Sequence, residues 1–144
     1  MRALILVLLA TIAACASVAQ TSDLHQDYVS IVGAINNKKY DFVEQRISAS
    51  KKAAHSDINA TEFSQKYPFI YSLGTLITKE VSNFSIKKPS KSCLTVNGFD
   101  SSGEPVTVNI EFSLESGLNQ ISYVALHYLE SDSEFTKVAV CPNA

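Results

Sequence analysis

The sequence predicts an α+β fold, with N-terminal helices packed on a curved antiparallel sheet of four to five strands. One observation behind this prediction is the alternation of apolar and polar residues over residues 106–114, a period of two that is typical of a half-buried strand. Another is the recurrence of apolar residues at helical spacing over residues 24–35. Helices that precede a run of strands indicate separate helical and sheet layers.

The helical half begins with an amphipathic segment and continues in shorter pieces. The apolar stripe of the first helix consists of Leu24, Tyr28, Ile31, Val32 and Ile35. Asp41 is predicted to cap a second helix, with Glu44 as its reciprocal partner. Residues 48–56 are polar and are predicted to form a loop. Pro68 either breaks a short helix or begins a new one at its first position.

The central strands are predicted at residues 106–114 and 121–129, joined as a hairpin by the turn-forming residues 115–119. The second of these strands is apolar on both faces, which indicates a strand that is covered on both sides or lines a cavity. One predicted face carries Ile121, Tyr123, Ala125 and Leu129, and the other carries Val124, Leu126 and Tyr128.

Further strands are predicted on both sides of this hairpin. Residues 93–99 form one, and residues 135–141 form a short one that ends at Pro142, which cannot donate to a strand ladder. Residues 81–87 are ambiguous, but their alternation fits an edge strand.

Length and charge indicate one domain, residues 20–144, and argue against nucleic acid as a partner. The chain has 144 residues and a net charge of −2, so it has no basic excess that would attract a polyanion.

Residues 1–19 are interpreted as a signal peptide, because a positive Arg2 precedes an apolar run too short to span a bilayer. An alternative is a lipobox that ends at Cys15, in which case lipid on Cys15 would tether the protein to a membrane. Both interpretations predict export: the first predicts a secreted or periplasmic protein, and the second predicts a membrane-tethered lipoprotein. The triplets that begin at Asn59 and Asn83 match the N-glycosylation pattern, which matters only in a eukaryotic host.

Once Cys15 leaves with the signal peptide or carries lipid, Cys93 and Cys141 remain as a pair, and we expect them to form a disulfide in an oxidising compartment. Two free buried thiols are the alternative. A plain meander would place these cysteines on its first and last strands, farther apart than the roughly 6 Å that a disulfide allows. The bridge therefore requires a curled sheet, another strand order, or chain ends that leave the sheet.

Candidate chemistry centres on His127 and Tyr123, which share one predicted face of residues 121–129. If that face lined a cavity, the two side chains would bind a ligand or move a proton. The histidines His25, His55 and His127 have no metal-ligand spacing, and no cofactor is expected. A structural or solvated role is the commoner explanation for each histidine.

Residues 34–43 and 112–121 resemble a helix junction and a late hairpin of the NTF2-like, cystatin-like α+β superfamily. The resemblance implies a cone-like fold with a cavity between sheet and helices. It implies no catalytic residue, because none of the superfamily's sets matches here, and the fold hosts many functions.

The sequence is compatible with three functions. The lack of a catalytic motif favours an exported, non-enzymatic domain that binds a protein or a small apolar ligand. The alternatives are an NTF2-like cavity enzyme that uses His127 and Tyr123, and a structural protein that forms a homodimer through its sheet.

Overall fold

The computed structural model describes residues 23–58 and 61–142 and shows helices followed by a four-stranded antiparallel sheet, so the predicted fold class is confirmed. The helices are α1 (Leu24–Asn36), α2 (Tyr40–Gln45), α3 (Ala49–Ala54), α4 (Phe63–Lys66) and α5 (Pro68–Leu76). The strands are β1 (Lys79–Lys87), β2 (Ser92–Phe99), β3 (Pro105–Glu115) and β4 (Leu118–Tyr128), followed by a short 3₁₀ helix, Asp132–Glu134. The predicted signal peptide, Cys15 and Asn59 lie outside the described residues.

Helix α1 follows its predicted stripe. Asp23 caps the helix by accepting a hydrogen bond from the His25 amide at 3.1 Å, and Leu24, Ile31 and Ile35 are buried against the sheet. Apolar residues at this spacing share one helix face, so their burial fixes how α1 is rotated on the sheet.

The prediction of a loop over residues 48–56 is wrong, because α3 lies there. The Ser48 hydroxyl accepts a hydrogen bond from the Lys51 amide at 3.2 Å, and such a cap stabilises even a polar helix of one or two turns. Asp41 is not a cap: it lies inside α2, whose N-cap is Lys39 with no capping side chain. Pro68 begins α5 at its first helical position, one of its two predicted roles.

The strands pair in the order β1-β2-β3-β4 as a simple meander. Residues 81–87 are part of the edge strand β1, which resolves their ambiguity. The centre of the helix-facing side of the sheet is apolar and fully buried; it includes Leu94, Val96, Val106, Val108 and Ile110. Core side chains from α1, α2 and α5 pack against it.

The predicted face of β4 is wrong at one residue. Phe112 pairs with Ile121 and Glu111 pairs with Tyr123, so Ser122 is an extra residue that forms a β-bulge. A bulge reverses the alternation of side chains. Ile121 therefore lies on the helix-facing side with Val124, whereas Tyr123 lies on the opposite side.

Residues 135–141 do not form the predicted fifth strand; they cross the second face of the sheet as an irregular segment, called here the strap. The Asn97 side chain donates to the Thr136 carbonyl at 2.9 Å, and the Val140 amide donates to the Thr95 hydroxyl at 2.8 Å. The predicted disulfide between Cys93 and Cys141 is confirmed, with a Cα–Cα distance of 5.3 Å. The chain end leaves the sheet to meet β2, which was one of the three predicted solutions.

Under the strap, β2 and β3 carry a ladder of buried polar pairs. Thr95 donates to the Asn109 side-chain oxygen at 2.6 Å, and Thr107 donates to that of Asn97 at 2.7 Å. These four side chains are at most 4% exposed. Buried polar groups need such partners, and here the sheet and the strap provide them together.

None of the helices in the described ranges combines the length and the hydropathy that crossing a bilayer would require.

Candidate functional site

A groove of about 270 Å³ lies between α1 and α2 on the outer side of the helical layer. Its lining consists of Ser30, Gly33, Ala34, Asn37, Lys39 and Phe42. Gly33, Ala34 and Phe42 provide an apolar interior, and the remaining three provide a polar rim. A concave apolar surface with a few polar groups at its rim is the usual form of a binding site.

The groove owes its shape to a tight connection between the two helices. The Asn37 side chain donates to the Gly33 carbonyl at 2.7 Å, and the Lys39 amide donates to the Ala34 carbonyl at 2.8 Å. Lys38 takes the left-handed conformation with φ 56°, which a helix C-terminus commonly needs to reverse its direction. These bonds satisfy the last carbonyls of α1 and place α2 beside it.

Gly33 leaves the groove open on the α1 side. A Cβ atom added at Gly33 would have no atom within 4 Å, so the missing side chain leaves open space. Glycine costs helix stability relative to alanine, and packing against a neighbour does not explain its presence here.

Phe42, which also lines the groove, contacts a network that reaches into the protein. The Arg46 guanidinium lies 5.3 Å from the centroid of the Phe42 ring and forms an ion pair with Asp27 at 3.3 Å. Asn119 in the β3–β4 hairpin donates to the other carboxylate oxygen of Asp27 at 2.8 Å. Asp27 is only 6% exposed, and a buried carboxylate with such partners orients them firmly. These bonds hold Arg46 beside the Phe42 ring.

Sequence reasoning missed this network, although a signal was present. Asp27 falls within the apolar stripe of α1, between Leu24 and Tyr28. A carboxylate at a core-facing position predicts a buried partner. The partner Arg46, however, lies 19 residues further along the chain. It reaches Asp27 because α2 packs beside α1 in the folded protein.

The predicted binding residues Tyr123 and His127 lie on the strap side of β4, away from the groove. Both are exposed, and four strand residues place their Cα atoms roughly 13 Å apart. Tyr123 packs under Lys51, whose ammonium lies 5.4 Å from the ring centroid, and partial burial lowers the pKa of Lys51. His127 is exposed, and an acid–base role, which requires a concave pocket and a second polar group, stays a prediction.

The other two histidines have protein partners. His25 Nε2 lies 2.9 Å from the carboxylate of Glu80, which joins α1 to β1. His55 Nδ1 lies 2.9 Å from the Lys51 carbonyl. The described residues contain no group of three or more His, Cys, Asp or Glu that could hold a metal ion.

An aromatic cluster joins α2, α4 and α5, and it also escaped sequence reasoning. Tyr40 stacks on Phe63 with centroids 4.9 Å apart and contacts Tyr71 at 6.3 Å, while Phe63 contacts Tyr67 at 5.3 Å. Desolvation raises the pKa of Tyr40, and the neighbouring Tyr71 raises it further through its charge and its hydrogen bond. These helices are too short to carry a long apolar stripe, so contacts between aromatic rings provide part of their packing.

No protein-family model, curated protein or solved structure matches this chain.

Proposed function

We propose that this protein is an exported, non-enzymatic binding module that holds an apolar side chain of a partner protein in the groove between α1 and α2. The observation that carries the proposal is a groove lined by both Gly33, which leaves open space, and the aromatic ring of Phe42. An empty apolar recess of this kind gains free energy when another apolar group displaces its water.

The size of the groove favours a protein partner over a free small molecule. Pockets that enclose drug-sized ligands measure about 300–1,000 Å³, whereas this groove measures about 270 Å³ and has exposed residues along its rim. One anchoring side chain fits such a recess, and anchors of this kind supply much of the energy of protein interfaces. A small apolar ligand remains the alternative occupant.

The rim indicates the charge of the partner. Lys38 and Lys39 are exposed beside the groove, and Arg46 lies beside the Phe42 ring. Complementary charge increases the rate and specificity of association. We therefore expect an acidic group next to the apolar anchor of the partner.

The lining of the groove supports binding more than catalysis. Among its described residues, Lys39 is the titratable one, and Ser30 donates its hydroxyl to the Gln26 carbonyl at 2.8 Å. Nucleophilic and acid–base mechanisms need a nucleophile and a base within hydrogen-bond reach, and this lining does not supply such a pair.

Export is supported by the Cys93–Cys141 disulfide, because stable disulfides persist in oxidising compartments. The signal peptide over residues 1–19 and the lipidated alternative at Cys15 predict different mature proteins. The intact mass of protein from its native host distinguishes them, and it also shows any glycan at Asn59 or Asn83.

Membership of the NTF2-like superfamily also stays a proposal. It is supported by the order of elements, with helices before the strands. The groove described here lies between two helices rather than between helices and sheet, so the binding proposal does not depend on that membership.

The binding proposal can be tested by NMR on ¹⁵N-labelled protein titrated with N-acetyl-phenylalanine amide and, separately, with the free acid N-acetyl-phenylalanine. We expect amide shifts at Gly33, Ala34 and Phe42, with weak affinity near the millimolar range for a single anchor. The free acid should bind more tightly than the amide because of Lys39.

The control is a pair of methionine variants on α1. Gly33→Met fills the groove and should abolish the shifts, whereas Gln26→Met adds the same side chain outside the lining and should preserve them. Shifts that map elsewhere, or that survive in Gly33→Met, would contradict the proposed site.

A further inference from the structure

The two edges of the sheet differ in their protection against pairing with another strand. The β1 edge carries Lys79, Glu80 and Lys87, and its register shifts between Glu80 and Ser82. Charges and bulges are the features by which proteins block edge pairing.

The β4 edge lacks this protection. Residues 121–129 contain no Lys, Arg, Asp, Glu, Pro or Gly, and Tyr128 is 59% exposed. Among residues 23–58 and 61–142, it is the start of this edge that is occupied, where Ile121 exchanges backbone hydrogen bonds with Arg46 and Ser48 at 2.7 Å and 2.9 Å.

The backbone groups that face outward can be assigned from the register. The Leu129 amide donates to the Pro105 carbonyl at 3.0 Å, and Thr107 is opposite His127 in the same register. Because antiparallel strands alternate the direction of their polar groups, those of His127 point toward β3. Those of Val124, Leu126 and Tyr128 therefore point away from the sheet, and within the described ranges the structure shows no partner for them.

We propose that β4 pairs antiparallel with β4 of a second copy of this chain, around a two-fold axis at Ala125. In this register Val124 of one copy is opposite Leu126 of the other, and their outward-facing groups exchange both backbone hydrogen bonds. On the strap side, Tyr123 is opposite His127. The pairing is self-complementary, as a two-fold interface requires, and it places similar side chains together on each face.

Charge at the two ends of the strand supports a second copy as the occupant. Beyond Tyr128, the exposed Glu130, Asp132 and Glu134 follow in the chain. At the other end, Lys51 lies over Tyr123, with Lys52 beside it. The two-fold axis brings the acidic end of each copy toward the lysines of the other, which is favourable at both ends.

The sheet edge, rather than the sheet face, is the surface available for this contact. The strap covers the middle of the second face and is bonded to Asn97 and Thr95. The edge is also separate from the groove between α1 and α2, so a failure of the dimer proposal would leave the proposed binding function unaffected, and the reverse also holds.

Sedimentation velocity on the mature, oxidised protein, from micromolar to millimolar concentration, tests the proposal. We expect a monomer–dimer equilibrium. His127→Lys places a cation near Tyr123 and Lys51 of the other copy, and since symmetry doubles the repulsion, the dimer dissociation constant should rise at least about tenfold. His127→Glu, a charge change at the same exposed position, should leave the dimer intact or strengthen it.

A cross-linking experiment tests the register directly. Residues opposite each other in a non-hydrogen-bonded pair have Cα atoms about 4.5 Å apart, within reach of a disulfide. Ala125→Cys should therefore form a covalent dimer under mild oxidation, whereas Ser85→Cys on the exposed β1 edge should not. A parent protein that stays monomeric at millimolar concentration, or a dimer that neither His127→Lys nor Ala125→Cys affects, would overturn the proposal.

Discussion

The two faces of the sheet are covered differently: helices cover one face, and an irregular chain segment covers the middle of the other. On the helix-facing side, Val96, Val108 and Ile110 lie under helices and are fully buried among other apolar side chains. On the other side, Thr95 and Asn109 are also buried, but they are hydrogen-bonded to each other and covered by a strap that a disulfide ties to β2. Burial alone therefore does not identify the core: one face is stabilised by the hydrophobic effect, and the other by a cross-link and satisfied polar pairs.

The strongest test of this comparison is removal of the disulfide. The bridged cysteines are 48 residues apart, and a loop of that length contributes about 4 kcal/mol in the chain-entropy model. The double variant Cys93→Ser/Cys141→Ser should lose about that much free energy of unfolding in urea. Hydrogen exchange should rise first at the Val140 amide and later at amides of the α1 core. Simultaneous loss of protection everywhere would show that the two faces are not separable.

Truncation in the apolar face should also be costly. Ile110 is fully buried on the helix-facing side, and Ile→Ala changes in cores typically cost about 2–5 kcal/mol. We expect Ile110→Ala to cost about 3 kcal/mol of unfolding free energy, measured as a lower urea midpoint. The disulfide should stay intact, and the Val140 amide of the strap should stay protected from hydrogen exchange. Ser85→Ala on the exposed edge of β1 provides a control that should change little.

High pH should act on the helical side of the molecule. Burial, followed by the charge of Glu80, raises the pKa of Tyr28 from 10.0 to about 12. The unfolded chain loses this proton first, so the contribution of Tyr28 is present below pH 10 and is lost as pH rises to about 12. The loss should be roughly 2–3 kcal/mol. Comparing the urea midpoints of the parent and Tyr28→Phe across this interval isolates it; parallel curves would contradict the assignment.

A smaller effect is expected from the polar face. Thr95→Val keeps the shape of the side chain but removes the hydroxyl that joins Asn109 to the Val140 amide. Leaving buried groups unpaired costs about 1–3 kcal/mol, and we expect about 1–2 here, because the strap can move to admit water. The double variant Thr95→Val/Asn109→Leu should recover part of the loss if the pairing, rather than the packing, is what matters.

The smallest effect separates two glycines of the helical layer. Gly33→Ala should stabilise the protein by about 0.5–1 kcal/mol, since alanine favours helix and meets nothing at this site. Gly74→Ala should destabilise it instead, because the new Cβ would lie 2.6 Å from the Ile35 side chain. Thermal unfolding measures both, and changes of the same sign would contradict the open space assigned to the groove.

Local patterns predicted the elements that depend on periodicity and failed where distant contacts decide. Residues 106–114 became β3 because their alternation matches the pleat of a strand, and α1 followed its stripe for the corresponding reason. Residues 135–141 have strand-like composition but reach no free edge, since the disulfide holds them over β2. The groove depends on Gly33 and Phe42 meeting across two helices, which neither segment shows alone.

By itself, the amino-acid sequence determined the fold class and most strand positions, because side-chain alternation is a local pattern, and it predicted the pairing of Cys93 with Cys141, because only two cysteines remain once Cys15 is set aside. Only the tertiary structure decided which side Ile121 faces, where Asp27 finds its partner, and where residues 135–141 lie. Those outcomes depend on a bulge, an ion pair and a strap that bring together residues far apart in the chain, and no local pattern encodes such distances.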